Sequence, residues 1–379
     1  MEARVNEKYE REVKTTAAVW PRSRNAVLNP DVDRLCVVYE VFTRCTGNGG
    51  SKKKKVNLVF CHGSGMNRAI WEYHADRIAD LNSNWVVDKI VVIDQVNHGD
   101  SALLNKGRLG LEFDWFDGAR DICKVAEEEF NFMNNYNVIV GHSMGGFQTL
   151  AAVAHNPNLF QLAIVIEPVI IKDPSQLEPK TEYLFFPPNF YRALTAKMTD
   201  NFGSMQEFEE FMEKKSFYVK VHPEIRKRLT EFEAIQRPDG SVVTKMKKVH
   251  NFMCYATDNT SAKRMVQLMP FIGIPVVSLV GASSRWTPPV NNEYVRTRIP
   301  NCKEVSVANG DHLMNLEMPD TIVDYISKHI SQYVANPPQR SEGDYVLDHN
   351  GSLAERNQFL DNSYKHFLNK IRLPQKSKL

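Results

Sequence analysis

The chain has 379 residues, 42% hydrophobic and 24% charged, with 47 Lys and Arg against 45 Asp and Glu. That composition describes a folded chain with ample core material, and it excludes disordered, collagen-like and disulfide-stapled classes. A formal net charge of +2 gives no electrostatic case for a nucleic-acid partner or an anionic membrane surface.

No run approaches the roughly eighteen apolar residues of a membrane span, and the N-terminus lacks the apolar core of a secretory signal. A soluble intracellular chain with no transmembrane segment is therefore expected. The six cysteines, at 36, 45, 61, 123, 254 and 302, form no C-x-x-C pair, which removes the usual support for zinc or redox chemistry.

Short apolar runs alternate with helical patterns, and this predicts an α/β fold with a mostly parallel sheet. In chain order the predicted strands are Leu35–Phe42, Val56–Cys61, Lys89–Asp94, Val138–Val140, Leu162–Glu167, Ile274–Gly281 and Glu304–Val307. Lys89–Asp94 and Leu162–Glu167 read as nearly continuous Val and Ile, the mark of strands buried on both faces. Lys52–Lys55, beside Gly47–Gly50, reads as a basic hairpin loop between two strands.

The interval 168–270 carries no comparable strand and reads as helical. Ser204-x-x-Glu207 is a capping box ahead of Phe208, Phe211 and Met212, and a second helix carries Ile225, Leu229 and Phe232. Arg237–Gly240 signals a turn. A helix from about Pro319 to Val334 closes the core, and a last one opens at the capping box Ser352-x-x-Glu355 and is expected to dock on the body. The expected organisation is a core over 1–167 and 271–334, a helical cap inserted over 168–270, a linker and C-terminal helix over 335–376, and a terminal tripeptide, 377–379.

Gly141-His-Ser-Met-Gly145 follows a predicted strand and precedes the helical pattern Phe147–Ala154. G-x-S-x-G in a strand–turn–helix setting holds a serine on a tight, strained turn above the carboxyl edge of a sheet. Ser143 is thus the candidate nucleophile. An oxyanion formed on attack needs two donors. The N–H of Met144 is one candidate, and the N–H of Ser64, in the glycine turn Cys61-His-Gly-Ser-Gly-Met66, is the other.

The general base is expected on the loop after the last strand, where Gly310-Asp-His-Leu313 places His312. His62, His98 and His142 sit in turns at the same edge; His142 flanks the serine and is a candidate pocket residue rather than a catalytic one. The acid is less direct. The segment Gly281-Ala-Ser-Ser284 puts a serine where an aspartate would follow the strand, and a hydroxyl cannot supply the charge that steadies an imidazolium. Glu167, at the end of Leu162–Glu167, keeps the chain order Ser143…Glu167…His312 and is the first candidate. A Ser–His dyad with water remains open, and Asp94, Asp100 and Asp311 are less well placed.

The cap supplies Leu184, Phe185, Phe186, Phe190 and Tyr191, which suit an apolar acyl group or simply pack the cap. Trp286 is a further pocket candidate. No metal cluster and no glycine-rich dinucleotide loop occurs, so no cofactor is expected. The last residues, Ser377-Lys378-Leu379, form the tripeptide read by the peroxisomal import receptor, which places the chain in the peroxisomal matrix with that receptor as a partner.

His62–Met66, Ile93–Ser101, Gly141–Gln148, Ile166–Val169 and Trp286-x-Pro-Pro289 together resemble segments of the α/β-hydrolase superfamily, and within it the fungal peroxisomal lipases and related hydrolases. The similarity runs from about Thr15 to His329 and is weakest through the cap. It implies hydrolysis of carboxylic esters or lipids through Ser143 and His312. Pancreatic-type lipases in this superfamily carry their acid after the strand that Glu167 ends here. Acyl-CoA thioesterase, secondary-metabolite ester or lactone hydrolase, and a non-catalytic binding protein on the same scaffold are the competing readings. For the thioesterase, Lys263, Arg264 and Lys245–Lys248 are the cations available to a nucleotide.

Overall fold

A computed structural model describes residues 8–45, 53–81, 83–130, 135–172, 177, 188–256, 261–337 and 351–372. Eight strands form one sheet in the order β1-β2-β4-β3-β5-β6-β10-β11. They are β1 (Tyr9–Ala17), β2 (Cys36–Arg44), β3 (Lys54–Cys61), β4 (Trp85–Asp94), β5 (Tyr136–His142), β6 (Leu162–Ile166), β10 (Val276–Gly281) and β11 (Cys302–Val307). Within this sheet the β1–β2 and β2–β4 pairings are antiparallel, and the other described pairings are parallel. The α/β class and the mostly parallel sheet expected from the sequence are both found.

Both faces of the sheet are covered. On β3, Val59 and Cys61 face the layer built from helices Trp115–Glu129 and Met144–His155. Leu58 and Phe60 face the opposite layer, built from Arg68–Trp71, Glu72–Ala79 and Pro319–Ala335. Alternate side chains of one strand thus feed two separate cores. Each fully buried Val, Leu, Ile or Phe contributes about 1.5–3 kcal/mol relative to exposure. The carboxyl ends of β3, β5, β6, β10 and β11 therefore meet at one rigid edge.

Three differences from the sequence reading have physical causes. β1 is an edge strand with a mostly exposed, polar sequence, YEREVKTTA, and so gives no apolar signal. Lys54 and Lys55 open β3 rather than a hairpin loop, and β2 and β3 are not neighbours, because β4 lies between them. Between β6 and β10, helices Pro188–Thr195, Met205–Lys214, Pro223–Glu233, Lys248–Ala256 and Ser261–Leu268 are joined by a small sheet, β7-β9-β8. Its strands, β7 (Asn201–Phe202), β8 (Ala234–Gln236) and β9 (Val242–Thr244), are too short to show a period.

Local signals within that region behave as their chemistry requires. Ser204 Oγ accepts from Glu207 N at 3.1 Å, and Arg237–Gly240 is the turn between β8 and β9. Gly240 has a φ of +85°, which a side chain resists. Residues 336–379 form a separate unit, described over 336–337 and 351–372, and it carries the helix Leu353–Arg372. Its capping box closes in both directions, with Ser352 N donating to Glu355 Oε2 at 2.6 Å and Glu355 N donating to Ser352 Oγ at 3.3 Å. No helix among the described residues is long and apolar enough to cross a membrane.

Candidate active site

Ser143 sits between β5 and helix Met144–His155 with φ 56° and ψ −115°, a conformation non-glycine residues rarely hold. The turn is pinned by its own backbone. Ser143 N donates to Ile166 O at 3.0 Å, and Ser143 O accepts from Phe147 N at 3.1 Å and Val169 N at 3.3 Å. Gly145 is required because a Cβ there would lie 2.3 Å from the carbonyl oxygen of Cys61. The helix consequently packs directly against the end of β3 and lifts the serine above the sheet.

His312 and Glu167 converge on that hydroxyl. His312 Nε2 lies 3.0 Å from Ser143 Oγ, and His312 Nδ1 lies 3.4 Å from Glu167 Oε2. A carboxylate only accepts, so Nδ1 carries the ring proton and Nε2 is left to accept from Ser143. The His–Glu contact is slightly longer than the usual range of about 2.7–3.2 Å, whereas the carboxylate itself is held firmly. Gly281 N donates to Oε1 at 2.7 Å, and Ser284 Oγ donates to Oε2 at 2.6 Å.

Glu167 has a φ of +48° and anchors its own N–H on Leu279 O at 2.9 Å, so its backbone turns just as β6 ends. The serine that stands in place of an aspartate after β10 supports a carboxylate from the adjacent strand. The other aspartates are spent elsewhere: Asp94 and Asp100 both bind Arg68, and Asp100 also binds Lys245 at 2.6 Å. Asp311 accepts from the backbone N–H of His312 at 2.8 Å.

The loop after β3 crosses the serine. A Cβ on Gly63 would stand 3.2 Å from Ser143 Cβ, and Ser64 lines the same cavity as Ser143. Within this loop Met66 N is taken by Gly63 O and Gly65 N by His98 Nε2 at 3.1 Å. Ser64 N directly precedes these two committed donors, in the loop that borders Ser143. Met144 opens its helix, where backbone N–H groups precede the first helical hydrogen bonds.

The remaining histidines of the edge are structural in geometry. His62 Nε2 accepts from Gln95 N at 3.2 Å, and burial lowers its pKa. Burial, reinforced by His62, holds His98 well below its ordinary value. His142 lines neither cavity at the serine; its Nε2 meets the backbone oxygen of His312 at 2.7 Å. A carbonyl accepts, so this nitrogen carries the proton, and burial together with the neighbouring His312 pushes the His142 pKa well down.

Two cavities open on Ser143. The larger, about 270 Å³, is walled by Phe217, Tyr218, Tyr255, Trp286, His312 and Leu313 among others. The smaller, about 20 Å³, is lined by Ser64, Trp115, Val169, Lys172, Tyr255 and Trp286. Trp286 stacks on the His312 ring with centroids 4.9 Å apart. Phe185 and Phe186 lie outside the described residues, as do Ser377, Lys378 and Leu379.

The cations expected to serve a nucleotide are not at these cavities. Lys245 pairs with Asp100, and Arg264 lies over the Phe116 ring at 4.0 Å. Lys197 and Lys220 line the larger cavity instead. Tyr218, which no sequence signal singled out, donates to Gly65 O at 2.7 Å and ties the loop over the serine to the segment between β6 and β10.

The chain belongs to the alpha/beta hydrolase family, which residues 58–325 match. It is similar to the peroxisomal membrane protein LPX1 of Saccharomyces cerevisiae, with 36% identity over 379 residues and 96% of each chain covered. The crystal structure of the peroxisomal alpha-beta-hydrolase Lpx1 from that yeast matches with a TM-score of 0.86, covering 97% of this chain and 99% of that one. A shorter similarity, 25% identity over 122 residues, joins it to the type I acyl-CoA thioesterase mpaH' of Penicillium brevicompactum, covering 32% of this chain and 28% of the relative. The E-2-(acetamidomethylene)succinate hydrolase, 18% identical with a TM-score of 0.58 over 78% of this chain and 95% of its own, shares the fold.

Proposed function

We propose that the chain is a serine hydrolase that cleaves carboxylic esters of apolar acyl groups through an acyl-enzyme. The observation that carries this is the line of contacts from Ser143 Oγ to His312 Nε2 at 3.0 Å, and on to Glu167, beside a cavity walled in part by Phe217, Tyr218, Tyr255 and Trp286. Ser143 Oγ attacks the ester carbonyl carbon as its proton passes to His312 Nε2. The N–H groups of Met144 and Ser64 stabilise the resulting oxyanion. The bond to the leaving oxygen breaks as His312 returns the proton to it. Water, activated by the same imidazole, then releases the carboxylic acid and restores the serine.

Hydrolysis of p-nitrophenyl acetate by wild type and Ser143→Ala tests the reading. A loss on the order of a thousandfold or more is expected with folding intact; activity near the wild-type level would sink the mechanism. A thioester of coenzyme A is the second reading. It is favoured by the named activity of the Penicillium relative and by Lys197 and Lys220 at the larger cavity, where phosphates could meet them. Parallel assays on acetyl-CoA and aryl acetates separate the two.

The same proposal locates the chain in the peroxisome, delivered by the import receptor for its terminal Ser-Lys-Leu. The peroxisomal name of its yeast relative supports this. A fluorescent reporter fused to the N-terminus should mark peroxisomes, and deleting Ser377–Leu379 should leave it in the cytosol.

A further inference from the structure

We infer that the two cavities flanking Ser143 divide the substrate, taking a short acyl group, acetyl to butyryl, in the smaller one and a bulky leaving group in the larger. This rests on the serine-hydrolase reading above and names the substrate class for the same site. The first argument is protonic. The leaving oxygen must receive its proton from His312 Nε2, so the leaving group lies on the side that His312 lines. His312, Leu313 and Asp311 line the larger cavity and are absent from the smaller. The acyl substituent, on the other side of the carbonyl carbon, is left the cavity of Trp115 and Val169.

The second argument is size and stiffness. About 20 Å³ against about 270 Å³ is a difference between room for one or two waters and room for a large organic group. Two walls of the smaller cavity, Trp115 and Val169, are held in place. Trp115 is 2% exposed and packs edge-on against Phe147 at 5.3 Å, and Val169 is 3% exposed with its N–H on the Ser143 carbonyl. A close-packed wall of this kind meets a longer chain with strain. The larger cavity is edged by Val219 and Lys220, which are exposed and free of the sheet. Trp286 and Tyr255 line both cavities and form the partition.

The test is kcat/KM on two series with wild type: p-nitrophenyl acetate, butyrate, octanoate and palmitate, then ethyl, hexyl and decyl acetate. Expected is a fall of at least about tenfold from butyrate to octanoate, with decyl acetate turned over at least as well as ethyl acetate. Val169→Ala should shift the acyl series toward longer chains. Val219→Trp, at an exposed position, should lower the ratio of decyl to ethyl acetate several-fold, and it keeps the test open if Val169→Ala does not fold.

Octanoate or palmitate turned over as fast as acetate would overturn the division. Covalent labelling of Ser143 by a fluorophosphonate separates the two levels: a labelled serine with a long-chain preference removes only this inference. An unlabelled serine with no turnover in either series removes the serine-hydrolase reading and this inference with it.

Discussion

Ser284 donates its hydroxyl hydrogen to Glu167 Oε2 at 2.6 Å, while Gly281 N donates to Oε1 at 2.7 Å, so the loop after β10 grips a carboxylate that β6 delivers. The Glu167 carboxylate is in this way fixed from a strand away, 3.4 Å from His312 Nδ1. Glu167→Gln should lower kcat by about a hundredfold or more, because the amide no longer offers a charge to the imidazolium. Ser284→Ala should cost far less, within about tenfold, since Gly281 N still holds one oxygen. In a Glu167→Ser background, Ser284→Asp should recover part of the lost rate, measured as kcat on p-nitrophenyl acetate. No recovery would show that the two positions are not interchangeable.

The glycines around the serine are not equivalent. A Cβ at Gly145 meets the backbone oxygen of Cys61 at 2.3 Å, and backbone cannot yield. Gly145→Ala should therefore prevent folding or cost more than about 3 kcal/mol by chemical denaturation. A Cβ at Gly63 meets His142 Nδ1 at 3.0 Å and Ser143 Cβ at 3.2 Å, distances that a small loop shift relieves. Gly63→Ala should fold, with kcat lowered roughly tenfold or more as the Ser64 N–H moves off its proposed oxyanion position.

His142 holds the His312 backbone from beneath and, with its pKa pushed well down, stays neutral through the working range. His142 should then add no proton of its own to the acid limb of the kcat/KM profile. His142→Ala should lower kcat about tenfold with little change in KM. It should also destabilise the fold by about 1–3 kcal/mol, the cost of leaving a buried carbonyl unpaired.

Acid stability has its own marker. His74 is fully buried with Nε2 on Asn315 O at 2.9 Å, and burial lowers its pKa from 6.5 to about 4. Below pH 6.5 the unfolded chain takes up a proton that the folded chain refuses until about pH 4. The stability linked to this group is full above pH 6.5 and is lost as pH falls toward 4, up to about 3 kcal/mol. Urea unfolding of wild type and His74→Gln at pH 7 and pH 4.5 checks it; the variant should lose less stability on acidification.

The sequence was most legible where covalent neighbours dictate the chemistry. Gly141–Gly145 announces a strained turn, and Gly310–Leu313 puts a histidine after the last strand, so Ser143 and His312 could be paired across 169 positions. Glu167 was reached less directly, from its place at a strand end and the chain order, with a dyad left open, and it stands 3.4 Å from His312 Nδ1. What no local pattern carries is the grip of Ser284 on Glu167 or of His142 on the His312 carbonyl, because both cross between loops of different strands. β1 escaped notice because an exposed edge strand needs no apolar face, and β7, β8 and β9 because two or three residues make no period. The basic run that leads into β3 misled for a topological reason, since β2 and β3, consecutive in sequence, are separated by β4 in the sheet.

The most direct test of the central claim is stoichiometric labelling by a fluorophosphonate, located by mass spectrometry of the digested protein, for wild type and His312→Ala. The account predicts one label per chain, on Ser143, formed quickly in wild type and at least about a hundredfold more slowly without the imidazole. Ester turnover by a protein whose Ser143 stays unlabelled, or a label on another residue, would contradict it.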